Sequence, residues 1–358
     1  VEMASLPGWA TDRVADSIPP FVSSCEKLLL SPPDEGLGGA GDASRLGGKA
    51  GQWEAVCAAA RAVPPRDEPS ARDFLRTHFQ AYAVIGTDGA EGLYTGYYEP
   101  QVSGARTRGG AYQTPIYSRP GDLIQADLGG FVDDLRGRRI AGRVSNGTLI
   151  PYFDRTEIEH GALQGKRAEL LYLADPIDAF FLQIQGSGRV ILPNGRMARV
   201  TYAAQNGRPY VPIGRVLAAN GDIPPEQVSM QTIRAWLNAH PDRAADVMDQ
   251  NPSYVFFREL ADSDPTAGPP GALGVKLTPG RSIAVDRDFI PLGALVWIDT
   301  TDPLDGSALQ RMMVAQDLGG AIRGAVRADV FFGWDAQAAE RAGKMRQKGK
   351  EYVLLPKP

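Results

Sequence analysis

The sequence predicts a mainly β protein with peripheral helices, organised in two domains. Three observations lead there. At 358 residues the chain is longer than a single hydrophobic core usually grows. Short apolar runs recur between turn residues, and 41 glycines and 28 prolines supply those turns. Helical apolar spacing is confined to a few stretches, mostly near the start and in the middle.

Taken in order, the first fifty residues are rich in proline and glycine, with a short helix expected around Ser23 to Leu30. Trp53 to Val63 has helical apolar spacing. Ser70 can cap a second helix whose apolar face would hold Phe74, Leu75, His78, Phe79 and Ala83. Leu93-Tyr94-Thr95 reads as a strand that Glu99-Pro100 should end. From Gln101 to Asp175 the sequence is turn-rich, with strands at Thr148–Phe153 and Leu170–Leu173. Ala179 to Gly188 reads as an apolar strand with Gln183 and Gln185 on one alternating face. Gly186-Ser187-Gly188 would be a hairpin turn or bulge before Val190-Ile191-Leu192. A strand after that turn argues against a nucleotide loop. Val200–Ala204 is another strand, followed by helices at Ile213–Ala219 and Pro225–His240. Tyr254–Phe257, Val275–Asp286 and Leu295–Ile298 return to β character. A helix is expected over Asp335–Met345 and a last strand at Tyr352–Leu355.

Composition narrows the function. A formal charge of −4 gives no cationic field, which excludes nucleic acid as a partner. No run of about 18 apolar residues is present to span a membrane. The residues from Val1 do not read as a signal peptide, and a removed export signal would leave no trace. His78, His160 and His240 are far apart and lack metal-ligand spacing, so neither a metal nor a cofactor is expected. No G-x-S-x-G elbow occurs. Cys25 and Cys57 flank a segment containing SPPDEGLGGAGDAS. They are either a disulfide, worth about 3–4 kcal/mol by loop closure, or two unrelated buried thiols.

Chemistry concentrates in VAQDLGGAIRGAVRADVFFGW, residues 314–334. Two apolar runs are joined by a glycine-rich connection with Asp317 at one end and Asp329 at the other. Such aspartates can be a turn residue and a solvated strand-end charge. Equally, one can be a catalytic acid whose burial keeps it protonated. Asp286 is a third notable carboxylate. Asp317-Leu318-Gly319 suggests an aspartic peptidase, but that class needs a hydroxyl residue after the aspartate and a second such loop.

Seven segments decide between these readings. They are GYYEP from Gly96, FLQIQGSG from Phe181, YAAQNGRPY from Tyr202, NPSYVFF from Asn251, AVDRDFIPLG from Ala284, QDLGGAIRG from Gln316 and RADVFFG from Arg327. In this order they resemble the membrane-bound lytic murein transglycosylase A family over most of Gly92 to Leu355. The resemblance implies a double-psi β-barrel domain plus a second, smaller β domain, with a groove between them. The barrel would be discontinuous, formed by 1–100 and 261–358, with 101–260 inserted. It implies Asp329 as the catalytic acid and base, supported by Asp317 and Asp286. Thr95, Tyr97, Tyr98, Gln183, Gln185, Gly186, Ser187 and Gly188 would contact substrate. The activity implied is cleavage of the β-1,4 bond between N-acetylmuramic acid and N-acetylglucosamine, leaving 1,6-anhydro ends. The partner is then the peptidoglycan glycan strand in the periplasm, and no protein partner is implied. Cys25 follows FVSS without an apolar export segment, so outer-membrane association would come through a segment outside these residues. The alternative is a wall-binding protein without catalysis, which would keep the aromatics and amides but need no protonated carboxyl.

Overall fold

The structure, a computed structural model, describes residues 1–37, 47–135, 138–261 and 264–357. Most of the glycine-rich segment expected as a loop before Cys57, residues 38–46, lies outside them. The chain forms two compact units. One comprises Val1–Tyr98 with Thr266–Pro358, and the other is Glu99–Pro265.

The first unit opens with helices α1 (Ile18–Leu28), α2 (Glu54–Ala62) and α3 (Glu68–His78). Asp67 and not Ser70 is the residue that flanks the start of helix α3, in extended conformation, and Pro69 suits its first turn. Ser70 instead donates to Asp67 Oδ2 at 2.6 Å. Cys25 on α1 and Cys57 on α2 form a disulfide across a separation of 32 residues. Strands β1 (Phe79–Ala83) and β2 (Gly92–Tyr97) follow.

The second unit carries β3 (Gln101–Ala105), β4 (Thr114–Tyr117), β5 (Ile124–Asp127), β6 (Arg139–Ser145), β7 (Thr148–Pro151) and β8 (Glu169–Leu173). Next come α4 (Pro176–Gln185), β9 (Ser187–Ile191), β10 (Met197–Gln205), α5 (Ile213–Ala219), α6 (Met230–Ala239), α7 (Pro241–Asp249) and β11 (Val255–Glu259). Its main sheet has the order β11-β10-β9-β3-β8-β4, and β5-β6-β7 form a separate sheet. The stretch 179–185 is therefore helical, where alternation suggests a strand. Asp175 accepts from Ile177 N at 2.8 Å, Pro176 occupies the first helical position, and Gly186 closes the helix at φ 76°. An apolar run of that length fits either period, and its end signals decide. Gly186 is thus a helix cap, and Ser187 and Gly188 begin β9. The Pro225–His240 stretch also splits. Ser229 caps α6 by accepting from Thr232 N, and a single 3-10 turn, Pro225–Gln227, precedes it.

Three buried ions close this unit. Glu99 accepts from Arg189 Nε at 2.7 Å and from Arg199 Nη2 at 3.1 Å. Arg189 Nη1 also donates to the carbonyl of Pro265 at 2.6 Å, and Arg199 Nη1 to that of Asp264 at 3.1 Å. All three side chains are buried. The first and last residues of the unit are held by the same two guanidinium groups.

The chain then completes the first unit with β12 (Ser282–Val285), β13 (Leu295–Thr301), β14 (Ala308–Leu318), β15 (Arg327–Phe331), α8 (Ala336–Lys344) and β16 (Arg346–Pro356). Strand order is β1-β16-β13-β14-β12-β15-β2, and a β16–β2 pairing closes six of these strands into a barrel. β12–β14 and β15–β2 are parallel pairs among antiparallel ones. The result is the mainly β architecture expected, a barrel domain plus a second β domain. β16 can serve three partners because it is long. Its residues 346–349 pair with β2, 350–354 with β13 and 352–356 with β1. At the closure point a Cβ on Gly349 would stand 2.7 Å from the carbonyl of Asp299, so only glycine fits. The barrel core holds Ile283, Val285, Trp297, Met313, Ala328, Val330 and Leu354, all buried, and Phe21, Trp53, Phe74 and Phe79 pack as one aromatic cluster beside it. Each such large side chain contributes about 1.5–3 kcal/mol by leaving water.

Candidate active site

The two parallel pairs and one antiparallel pair set up a single row of residues. Asp317 on β14 faces Ala284 on β12, Ala284 faces Asp329 on β15, and Asp329 faces Thr95 on β2. Side chains opposite one another across a sheet share a face. Strands lie about 4.8 Å apart, so two strand steps place the aspartate backbones on the order of 10 Å from each other. Ala284 between them is small, which leaves room for both carboxyl groups. In β15, Ala328 and Val330 point into the core, while Arg327 and Asp329 are half-buried on the other face.

The carboxyl groups are solvated very differently. Asp317 Oδ1 accepts from Ala272 N at 2.8 Å and Leu318 N at 2.9 Å, and Oδ2 accepts from the Tyr97 hydroxyl at 2.9 Å. Asp329 accepts from a side-chain donor at Oδ1, the Thr95 hydroxyl at 2.8 Å. Burial pushes both carboxyls up. For Asp317 three donors work against burial. For Asp329 burial prevails over the Arg327 charge and the Thr95 hydrogen bond, the Asp317 charge adds to it, and the value reaches about 6. The two carboxyls thus differ in their donors: three hold Asp317 and one side-chain hydroxyl meets Asp329.

Asp286 is buried just past β12. Its Oδ2 accepts from Gly324 N at 2.9 Å and its Oδ1 from Asp288 N at 3.2 Å, with Arg323 at 3.7 Å. It holds the glycine-rich connection between β14 and β15 in place. The structure thus brings Thr95, Tyr97, Asp317 and Asp329 together and uses Asp286 to fix the loop beside them. Thr95 and Tyr97, expected on the sugar side, spend their hydroxyl hydrogens on the two carboxyls. Tyr98 is buried at the end of the barrel unit's first segment. Gln183, Gln185, Gly186, Ser187 and Gly188 belong to the other unit. Gln183 is 5% exposed, and its Oε1 accepts from buried Arg155 at 2.8 Å, so that amide supports the unit's interior. Asn206 and Asn251, in the YAAQNGRPY and NPSYVFF segments, are likewise buried and bind backbone groups.

Sequence reasoning assigned Arg327 no role. Its guanidinium donates to Thr95 Oγ1 at 2.9 Å and to the Ala328 carbonyl at 2.7 Å. The available signal was its place two residues before Asp329 in a strand, hence on the same face. Glu351 was missed too. It is 1% exposed inside the barrel, lies 3.4 Å from the Tyr94 hydroxyl, and burial pushes it up to about 8. Among the described residues no group of three or more His, Cys, Asp or Glu side chains is placed to hold a metal ion. No described helix is long and apolar enough to cross a membrane.

Similarity to known proteins extends over nearly the whole chain. Residues 93–258 match the family description "MltA specific insert domain" and residues 281–355 match "3D domain". Membrane-bound lytic murein transglycosylase A of Escherichia coli K12 is 33% identical over 295 residues, covering 80% of this chain and 72% of that protein. The crystal structure of MltA from Neisseria gonorrhoeae, monoclinic form, is 37% identical with a TM-score of 0.80, covering 99% of this chain and 91% of that one. The structure of E. coli MltA with bound chitohexaose is 30% identical with a TM-score of 0.69, covering 95% and 90%.

Proposed function

The chain belongs to the membrane-bound lytic murein transglycosylase A family, and from that premise we propose that it cleaves peptidoglycan glycan strands with Asp329 as its only acid and base. The bond broken is the β-1,4 link between N-acetylmuramic acid and N-acetylglucosamine. The observation that carries this reading is the half-buried Asp329 carboxyl, which burial raises to about 6 while neighbouring Asp317 is held by three donors.

Ordinary glycosidases use one carboxylic acid plus a second carboxylate as nucleophile or water-activating base. Here the sugar supplies its own nucleophile. Protonated Asp329 gives its proton to the departing glycosidic oxygen as the bond from C1 breaks. The 6-hydroxyl of the muramic acid residue then closes on C1, and its proton returns to Asp329. No water is consumed, and the product carries a 1,6-anhydro end. Burial favours the protonated form of Asp329, the nearby Asp317 charge adds to it, and Asp286 positions the connecting loop. The chitohexaose bound to the E. coli relative supports a β-1,4 amino-sugar chain as the ligand. A sugar-strand substrate and the relatives' printed names support action on the cell wall, and the compartment proposed for it is the periplasm.

The test is Asp329→Ala with purified murein sacculi, the soluble products being weighed by mass spectrometry. The wild type should release fragments lighter by one water than hydrolysed ends, and the variant should release none. Undiminished release by the variant removes Asp329 from the mechanism. Binding of sacculi by the wild type without soluble fragments assigns the protein to wall binding instead.

A further inference from the structure

The hydrogen bonds around Asp329 have a direction. Arg327 carries only donors. Its Nη1 is fixed on the Ala328 carbonyl at 2.7 Å and the Leu93 carbonyl at 3.3 Å, so the guanidinium straddles β15 and β2. Its Nη2 donates to Thr95 Oγ1 at 2.9 Å. A hydroxyl has one hydrogen, and Thr95 cannot return it to a donor. That hydrogen points to Asp329 Oδ1, 2.8 Å away. Donation from a cation also polarises the hydroxyl and strengthens its own bond.

We propose that Arg327 and Thr95 form a positioning pair that makes Oδ1 of Asp329 a permanent acceptor and confines the transferable proton to Oδ2. A proton on Oδ1 would leave the Thr95 hydrogen only the weaker acceptor of a hydroxyl oxygen. Oδ2 takes no hydrogen bond from any described residue. The same asymmetry serves the return step. Once the proton has left, Oδ1 is weakened as a base by Thr95, and Oδ2 recovers the proton from the 6-hydroxyl. One oxygen then acts as acid and base in turn, and the carboxyl need not rotate between the two steps. The inference rests on the assignment of Asp329 given above.

The charges facing Asp329 bear on the test. Arg327 lies on its own strand, Thr95 and Tyr97 on β2, and Asp317 on β14, while β12 offers only Ala284. Glu351 on β16 shares the Arg327 charge with Asp329. Removing Arg327 or the Thr95 hydroxyl withdraws stabilisation from the Asp329 carboxylate, so the protonated acid survives to higher pH.

The experiment compares Thr95→Val, Thr95→Ser, Arg327→Gln and Arg327→Lys with the wild type and Asp329→Asn, following muropeptide release from sacculi across pH. Thr95→Val should lower the maximal rate about ten- to a hundredfold, the scale of one hydrogen bond to a charged group. Its alkaline limb should move upward. Thr95→Ser should recover most of the lost rate and return the limb. Arg327→Gln should move the limb up by about one pH unit or more. Arg327→Lys, which keeps the charge but not the fork, should lose rate with a smaller displacement. Limbs that stay with the wild type, or a Thr95→Ser enzyme as impaired as Thr95→Val, overturn the positioning pair. A wild type that releases no anhydro ends, or an Asp329→Asn variant that still does, overturns the underlying assignment and the pair with it.

Discussion

Asp329→Asn should inactivate the protein and stabilise it in the same stroke. The carboxyl ordinarily titrates at 3.8 and is pushed to about 6 in the fold. Folding therefore favours its protonated form, and ionisation opposes folding. The penalty is absent well below 3.8, grows as pH rises between the two values, and is complete above about 6. A gap of about two pH units at about 1.4 kcal/mol each gives ~3 kcal/mol, an upper figure for a half-buried group. Asparagine keeps the oxygen that accepts from Thr95 and removes the charge. The variant should thus exceed the wild type by up to about 3 kcal/mol near pH 7.5 and by at most about 1 kcal/mol near pH 4.5. Chemical denaturation at the two pH values, with tryptophan fluorescence as the signal, measures this. A variant whose advantage does not grow with pH would show that the carboxyl is not held in its neutral form, and the acid role would fall with it. Gaining stability by losing an active-site charge is the expected trade where a site is built against its own solvation.

Three further outcomes follow from the same geometry. Asp317→Asn removes a negative neighbour, lowers the Asp329 value and should move the alkaline limb of activity to lower pH, read from muropeptide release. Glu351→Gln should flatten the pH dependence of stability, because a carboxyl raised from 4.5 to about 8 costs up to about 4–5 kcal/mol once ionised. Thermal melts of wild type and variant at pH 5 and about pH 9 should converge at the acid end and diverge at the alkaline end. Replacing Cys25 and Cys57 together by serine opens a loop of 32 residues and should cost about 3–4 kcal/mol in denaturant unfolding.

Much of the barrel was legible because its strands are buried on both faces. Leu295–Ile298 and Met312–Ala315 read as continuous apolar runs, and the structure places β13 and β14 there. The segments that carry the family resemblance located Asp286, Asp317 and Asp329 in sequence. What stayed hidden was pairing. Nothing local in Thr95 announces that it faces Asp329, since the two are 234 residues apart and meet only through a parallel pair. Arg327 went unread for the same reason: its role depends on Thr95, the residue across the strand. The misread stretch was 179–185, where an apolar run satisfies helix and strand alike. Asp175, Pro176 and Gly186 at its two ends held the answer.

The grip of Arg189 and Arg199 on Glu99, Asp264 and Pro265 bears on how such a chain can arise. A module whose ends meet under one clasp behaves as a cassette. Its host needs only two neighbouring attachment points, Tyr98 and Thr266, and need not stretch to accommodate what lies between them. The clasp travels with the cassette, because every group in it belongs to the inserted segment. The strands that set the row of Thr95, Asp329 and Asp317 all belong to the host, so the register of the row does not depend on the length of the cassette.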